Sequence, residues 1–295
     1  MTILQTRNEI IEQLTSAGIE DADSEARIIL CETAGLSATD IHGRPDDEIT
    51  SDIYNEIQTI VKRRLMREPL QYIYGRWDFM GLSFAVRPGV LIPRPDTEIM
   101  VETVMGRLHD GMRILDLCTG TGCILISLLK YSNGCEGVGV DISAEALALA
   151  QENAEAILGA AVDGGTAGDA TGISFLQGDL YGALTEMVTP ITFDIIVSNP
   201  PYIPADVIDT LEPEVKKYEP RLALDGGDDG LDIIRRIIDG AQAHLIKGGE
   251  LFLEIGYDQG PSVSALMREA GFADVEVIPD YAGLDRVVAG RVPIL

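Results

Sequence analysis

The chain has 295 residues, 46% of them hydrophobic, which is enough for one large or two modest domains with a sizeable core. Its formal charge is −26, from 22 Lys and Arg against 48 Asp and Glu. So acidic a surface argues against tight, sequence-independent binding to bare nucleic acid, which needs a cationic footprint, and fits a small-molecule or protein substrate.

Lysine is scarce (Lys62, Lys130, Lys216, Lys217, Lys247), so arginine carries most of the positive charge. A salty habitat and a partner with a basic face both account for this balance. Cys31, Cys118, Cys123 and Cys135 form no C-x-x-C pair and no zinc spacing. They read as reduced thiols of a cytoplasmic protein, and no metal site is expected. Residues 1–10 carry charge and lack a long apolar stretch, so no signal peptide is expected. No apolar run approaches the length of a membrane span.

Residues 1 to about 67 read as helical. Ile3, Ile10, Ile11 and Leu14 fall roughly on one helical face, and residues 22–34 and 49–65 repeat the pattern. Gly18, Gly35 and Gly43-Arg44-Pro45 separate the segments. Nothing here carries chemistry. The stretch reads as a small helical bundle, with the further option that it grips a partner protein. Residues 76–80 and 82–86 alternate around Gly81 as a β-hairpin, expected to connect two domains.

Leu91-Ile92-Pro93-Arg94-Pro95-Asp96-Thr97-Glu98 follows. Two prolines and then acidic residues predict a helix beginning near Pro95. Arg94 is either an exposed loop residue or a contact for a substrate or cofactor carboxylate.

From Met112 onward strands and helices alternate. Strands are predicted at 113–117, 137–140, 173–177, 193–197, 250–255, 275–278 and 286–288, and helices at 123–130, 144–156, 231–245 and 262–270. This is a doubly wound α/β pattern. Residues 159–172 are rich in Gly and Ala and read as a mobile surface loop.

Ile114-Leu115-Asp116-Leu117-Cys118-Thr119-Gly120-Thr121-Gly122 is a strand running into a Gly-rich turn and a helix. Glycines there let the backbone pass close to a ligand. A nicotinamide dinucleotide fingerprint would place a third Gly where Leu125 stands, which weakens that reading. Asp141 closes the next strand, placed to accept from both hydroxyls of a ribose. Asp179 follows the third strand and is placed to accept from an adenine amino group, with the Leu180 backbone beside it. An Asp at a strand end also serves as a turn or N-cap residue. Asp116 fits a position near a cationic centre of a cofactor, and Asp194 is given no role.

Phe193-Asp194-Ile195-Ile196-Val197 ends in Ser198-Asn199-Pro200-Pro201-Tyr202. Two consecutive prolines cannot continue a strand, so the chain leaves the sheet at its carboxyl end, where open α/β sheets bind ligands. Asn199 Oδ1 and the Pro200 carbonyl are suited to accept the two hydrogens of a planar –NH2 group, with Tyr202 stacking on it. Holding such a nitrogen lets its lone pair turn toward an electrophile. No general base is obvious. A proline-terminated strand with a turn-forming Asn is the plainer alternative.

The Gly-rich loop, Asp141 and the N-P-P-Y stretch together resemble class I methyltransferases that use S-adenosyl-L-methionine. The whole chain resembles the HemK/PrmC family of protein-(glutamine-N5) methyltransferases acting on class I peptide chain release factors. The stretches that carry it include Glu68-Pro69-Leu70-Gln71-Tyr72, Gly81-Leu82-Ser83-Phe84, the segment 91–98, Glu219-Pro220-Arg221-Leu222-Ala223-Leu224 and Gly226-Gly227-Asp228-Asp229-Gly230-Leu231. Leu253-Glu254-Ile255-Gly256 with Gln259, and Gly283-Leu284-Asp285-Arg286, complete it.

The resemblance implies a helical bundle (1–72), a β-hairpin linker (73–90) and a seven-stranded, Rossmann-like methyltransferase domain (91–295). It implies methylation of the Gln in the Gly-Gly-Gln loop of release factors, with S-adenosyl-L-homocysteine as product. Asn199 and Pro200 would be catalytic, with Pro201, Tyr202 and Arg94 on the substrate. Cys118, Thr119, Gly120, Thr121 and Gly122 would carry the methionine part of the cofactor, Asp141 the ribose, Asp179 and Leu180 the adenine, and Asp116 and Asn199 would complete its site. Cys118 stands where many relatives have Gly, and Leu180 where an aromatic is often found. A monomer with no membrane or direct nucleic-acid contact is expected. The competing readings are methylation of a Gln on a ribosomal protein, methylation of adenine N6 or guanine N2 in nucleic acid, and a non-catalytic partner-binding module on the same scaffold.

Overall fold

The computed structural model describes residues 1–159, 172–186 and 191–294, and the chain divides into two units, Met1–Gly75 and Arg76–Leu295. The expected loop at 159–172 has its interior, residues 160–171, outside the described residues.

The first unit contains α1 (Ile3–Ser16), α2 (Ala22–Ala34), α3 (Ala38–Gly43), α4 (Ser51–Leu65) and α5 (Leu70–Tyr74). A capping box starts α1: the Gln5 N–H donates to Thr2 Oγ1, and the Thr2 N–H donates to Gln5 Oε1. Ile10 and Leu14 of α1, Ile29 and Leu30 of α2, and Ile57 and Val61 of α4 are buried together. Each such side chain stabilises the bundle by about 1.5–3 kcal/mol. The apolar spacing predicts α1, α2 and α4. The short α3 and α5 lack enough turns to show a period.

The second unit opens with β1 (Arg76–Phe79) paired antiparallel to β2 (Leu82–Ala85). The hairpin is built into this unit. Phe79 and Phe84 meet edge to face at 6.1 Å and join the core with the helix that follows. The Met80 N–H donates to Glu98, and Ala85 exchanges two hydrogen bonds with the Asn153 carboxamide. The helix expected near Pro95 begins as a 3₁₀ turn, Pro95–Thr97, and continues as α6 (Glu98–Met105).

The remaining strands are β3 (Arg113–Leu117), β4 (Glu136–Asp141), β5 (Ile173–Gln177), β6 (Phe193–Ser198), β7 (Leu245–Glu254), β8 (Ala273–Pro279) and β9 (Asp285–Arg291). Among the described residues they form one sheet in the order β5-β4-β3-β6-β7-β9-β8. The strands from β5 to β7 are parallel, and β9 runs antiparallel to both β7 and β8. The helices are α7 (Cys123–Tyr131), α8 (Ala144–Leu158), α9 (Pro213–Tyr218), α10 (Asp232–His244) and α11 (Gly260–Glu269). β7 starts earlier than expected because Leu245 pairs with Phe193, and the register shifts before Ile195.

Successive side chains on a strand point to opposite faces. Leu115, Leu117 and Ile196 pack with Ile234, Ile237 and Ile238 of α10 and with Val263 and Met267 of α11. Ile114, Ile195 and Val197 pack with Met100 and Val104 of α6 and with Leu125 and Leu128 of α7. The sheet is therefore covered on both faces, the doubly wound arrangement that the sequence predicts. The strand order reverses between β3 and β6, where Leu117 pairs with Ser198. Loops leaving these two strands emerge side by side, and such a crevice is where open α/β sheets bind ligands.

Candidate active site

The loop after β3 is held in a tight cradle. The Thr119 N–H donates to the Val140 carbonyl (3.0 Å), and the Gly122 N–H to the Thr119 carbonyl (2.8 Å). Gly120 and Gly122 have φ of 56° and 78°, where a side chain is strained. A methyl at Gly122 would also strike Ile126 and Ala150, whereas one at Gly120 would meet open space. Cys118 adopts φ 59° despite its side chain, which explains why glycine suits this position. Burial pushes its thiol up to about 12, so Cys118 supplies no thiolate at neutral pH.

Asp141 ends β4 and fastens the cradle. Its Oδ2 accepts from the Gly120 N–H and its Oδ1 from the Ser143 N–H, both at 2.9 Å. A carboxylate has about four lone-pair sites, so acceptor capacity remains. Burial raises its pKa, and the Ser143 and Gly120 N–H groups oppose the rise. Asp179 pairs with Arg236 of α10 at 2.7 Å. Leu180, with φ 52°, is buried beside it.

Asp116 lies behind the loop, fully buried, and its Oδ2 accepts from the Thr119 hydroxyl at 2.6 Å. Burial, reinforced by the charge of Asp141, pushes its pKa from 3.8 to about 7. The folded protein therefore binds a proton that the unfolded chain releases. Stability from this group is full below the unfolded value and is lost as pH rises through the folded one. Asp116→Asn keeps an acceptor for Thr119. It is expected to raise the unfolding temperature by about 2–6 °C near pH 8, the gain shrinking as pH falls toward about 4. Thermal melts across that range check this, and a pH-independent difference would mean that Asp116 is not held neutral.

The turn after β6 is clasped from several sides. Ser198 Oγ donates to the Leu117 carbonyl (2.7 Å). The Ile203 N–H donates to the Leu224 carbonyl and the Gly226 N–H to the Ile203 carbonyl. Gln259 donates through Nε2 to the Tyr202 carbonyl (3.0 Å) and accepts at Oε1 from the Gly256 N–H (2.9 Å). The stretches around Leu224, Gly226–Gly230 and Gln259 thus act on the backbone of Asn-Pro-Pro-Tyr. Asn199 Nδ2 donates to Thr97 Oγ1 at 3.2 Å, joining this turn to the 3₁₀ turn before α6.

A cavity of about 350 Å³ opens between the two loops. Arg94, Cys118, Thr119, Gly120, Thr121, Asp141, Asp179, Leu180, Asn199 and Pro201 all line it. Asp116, Gly122, Pro200 and Tyr202 are not on its wall. Tyr202 is placed differently from the stacking position expected of it. Its ring packs on the core, and its hydroxyl donates to Glu254 Oε1 at 3.3 Å. Arg94 lines the cavity, and its guanidinium is held at 2.5 Å by the buried Glu219 carboxylate. Burial raises the pKa of Glu219, and Arg94 opposes that rise.

Four side chains given no role in the sequence bear on the site: Thr97, Glu219, Arg236 and Glu254. Glu254 closes an apolar strand, as Asp141 closes β4 and Asp179 follows β5, and that shared pattern was the signal available for it. Among the described residues, no group of three or more His, Cys, Asp or Glu is placed to hold a metal ion, and no helix is long and apolar enough to cross a membrane. The cavity thus offers carboxylate acceptors on one side, a backbone cradle in the middle, and a carboxamide at the far loop.

Residues 5–75 match the PrmC N-terminal domain, and residues 108–224 match a methyltransferase domain. The release factor glutamine methyltransferase of Geobacter sulfurreducens is 39% identical over 279 residues, covering 95% of this chain and 93% of that protein. The release factor glutamine methyltransferase of Caulobacter vibrioides is 39% identical over 292 residues, covering 98% and 96%. A crystal structure of a methyltransferase from Pyrococcus furiosus matches with a TM-score of 0.53 at 17% identity, covering 79% of this chain and 98% of that one, a likeness of fold.

Proposed function

The chain belongs to the release factor glutamine methyltransferase family, and we propose that it transfers a methyl group from S-adenosyl-L-methionine to N5 of the Gln in the Gly-Gly-Gln motif of class I peptide chain release factors. Its second unit is a class I methyltransferase domain. The observation that carries the reading is the meeting of Asn199, the loop 118–122 and Asp141 around one cavity at the point where the strand order reverses.

The residues fit S-adenosyl-L-methionine. Space over Gly120 is open, and Asp141, which lines the cavity, has acceptor capacity beyond its bonds to the Gly120 and Ser143 N–H groups. The bound group would supply an electrophilic methyl on a sulfonium and leave as S-adenosyl-L-homocysteine. In this reading Cys118, Thr119, Gly120, Thr121 and Gly122 hold the methionine part, and Asp141 accepts from the ribose hydroxyls. Asp179 and Leu180 take the adenine, while Asp116 completes the site from behind the loop by holding the Thr119 hydroxyl.

An amide nitrogen is a poor nucleophile because its lone pair is delocalised. Asn199 Oδ1 and the Pro200 carbonyl accept its two hydrogens and hold it facing the methyl as it becomes tetrahedral. Pro201 walls the slot, Tyr202 anchors the turn through Glu254, and Arg94 with Glu219 borders the substrate side. The proton leaves once the nitrogen carries the methyl, so no strong base is required. The helical unit helps to grip the release factor, and the enzyme works as a cytoplasmic monomer without direct nucleic-acid contact.

Asp141→Ala is expected to weaken S-adenosyl-L-methionine binding by about 1.5–3 kcal/mol through lost charged hydrogen bonds. Calorimetry measures this, and an unchanged Kd would remove Asp141 from the site. The function itself is tested by labelled-methyl transfer to a release factor, to the same factor with its motif Gln changed to Ala, and to bare RNA and DNA. Label on the intact factor alone is the expected result. Label on nucleic acid, or on the Gln→Ala factor, would overturn the assignment.

A further inference from the structure

One buried side chain joins the hairpin to the Gly-rich loop. Asn153 lies on α8 and is 1% exposed. Its Oδ1 accepts from the Ala85 N–H at 2.7 Å. Its Nδ2 donates to the Ala85 carbonyl at 3.2 Å and to the Thr121 carbonyl at 3.0 Å. Both amide hydrogens are therefore used on carbonyls and the oxygen on an N–H. The reverse orientation would set donor against donor and acceptor against acceptor. Ala85 and Thr121 stand 68 and 32 residues away in sequence, so the contact is wholly a product of the fold.

Both segments that Asn153 grips belong to the cavity wall or lead into it. Thr121 lines the cavity, whereas Asn153 does not. Ala85 ends β2, and shortly after it the chain from Gly89 to Arg94 lines the same cavity. That stretch is packed onto the same helix: Val90 is buried with Ala146 and Leu149 of α8, and Ala85 packs against this cluster. At its far end Arg94 is held by Glu219. Any shift of Ala85 relative to Thr121 must break a bond of the Asn153 carboxamide and leave a backbone group unpaired beside a buried helix.

We propose that Asn153 is a positioning residue for the cofactor: its carboxamide fixes the loop 118–122 against the segment that the hairpin carries, so that two parts of the cavity wall keep one spacing. The hairpin is then a working part of the cofactor site. The inference rests on the cofactor reading given above. Aspartate at 153 keeps the size and the acceptor for the Ala85 N–H and, when ionised, lacks the donors that both carbonyls need.

The test compares wild type, Asn153→Asp and Met267→Ala by calorimetric binding of S-adenosyl-L-homocysteine, with thermal melts on each. Met267 is a core residue of α11 away from the cavity wall, so Met267→Ala removes stability without touching the clamp. Asn153→Asp is expected to raise the Kd by about 5- to 50-fold, while Met267→Ala stays within about twofold of wild type although both melt earlier. Wild-type affinity in a folded Asn153→Asp variant overturns the proposal, and so does equal weakening in Met267→Ala. Should Asn153→Asp not fold, hydrogen exchange on the wild type decides. S-adenosyl-L-homocysteine is expected to slow exchange of the Ala85 amide, which lies off the cavity wall, and unchanged exchange there overturns the proposal. A wild-type protein that does not bind S-adenosyl-L-homocysteine would overturn the cofactor reading and this inference with it. One that binds it but leaves the release factor unlabelled would overturn the substrate assignment alone.

Discussion

Asn199→Ala is expected to reduce methyl transfer to the release factor by about 10²–10³-fold while S-adenosyl-L-methionine binding stays close to wild type. The reason is differential binding. The Asn199 carboxamide accepts a hydrogen from the substrate amide, and that bond strengthens as the nitrogen sheds its planar delocalisation. Its removal therefore acts on kcat more than on ground-state affinity. Asn199 borders the cavity, but the loop 118–122 and Asp141 hold the proposed cofactor positions independently of it. Single-turnover transfer with labelled methyl, paired with calorimetry, separates the two effects. Strong residual turnover would assign the positioning of the amide to the Pro200 carbonyl alone. A parallel loss of cofactor affinity would instead make Asn199 chiefly a cofactor contact.

The fold was legible because its central strands are near-continuous apolar runs ended by glycine, proline or aspartate. Arg113–Leu117 and Ile173–Gln177 appear with the bounds that the sequence predicts. The Gly-rich loop and Asn-Pro-Pro-Tyr were legible as separate turns, and the strand order explains why they meet. A contact such as Asn199 with Thr97, 102 residues apart, leaves no local pattern. The same holds for Arg94 with Glu219 and for Arg236 with Asp179. Each pairs residues far apart in sequence, and only the crossing of the chain brings them together. Tyr202 shows the converse. Its place beside two prolines suggested a stacking wall, but a buried carboxylate on the neighbouring strand captures its hydroxyl and turns the ring to the core. The hairpin likewise looked like a linker because its length and turn are visible locally, whereas the burial of Phe79 and Phe84 depends on helices further along the chain.

Gly230→Ala is expected to destabilise the protein by about 1–3 kcal/mol and to lower kcat well beyond what that loss explains. Gly230 has φ 74°, a conformation that strains any L side chain. An added methyl would also overlap the Tyr202 carbonyl oxygen and approach Gln259 Nε2 to 2.8 Å. These are the two atoms whose hydrogen bond holds the back of the Asn-Pro-Pro-Tyr turn. Relief requires the turn or the Gly230 loop to shift, and a displacement of about 1 Å at a reacting group can cost on the order of 10²-fold in rate. Gly111→Ala separates strain from displacement. Gly111 has φ 79°, but an added methyl there would have nothing within 4 Å, so its substitution carries backbone strain alone. Thermal melts of both variants should show comparable strain, with an added loss in Gly230→Ala from the overlap, while only Gly230→Ala loses turnover. If both variants keep wild-type kcat, the turn is rigid without its clasp, and the placement of Asn199 must come from the sheet and from Thr97 rather than from the glycine-rich loop behind it.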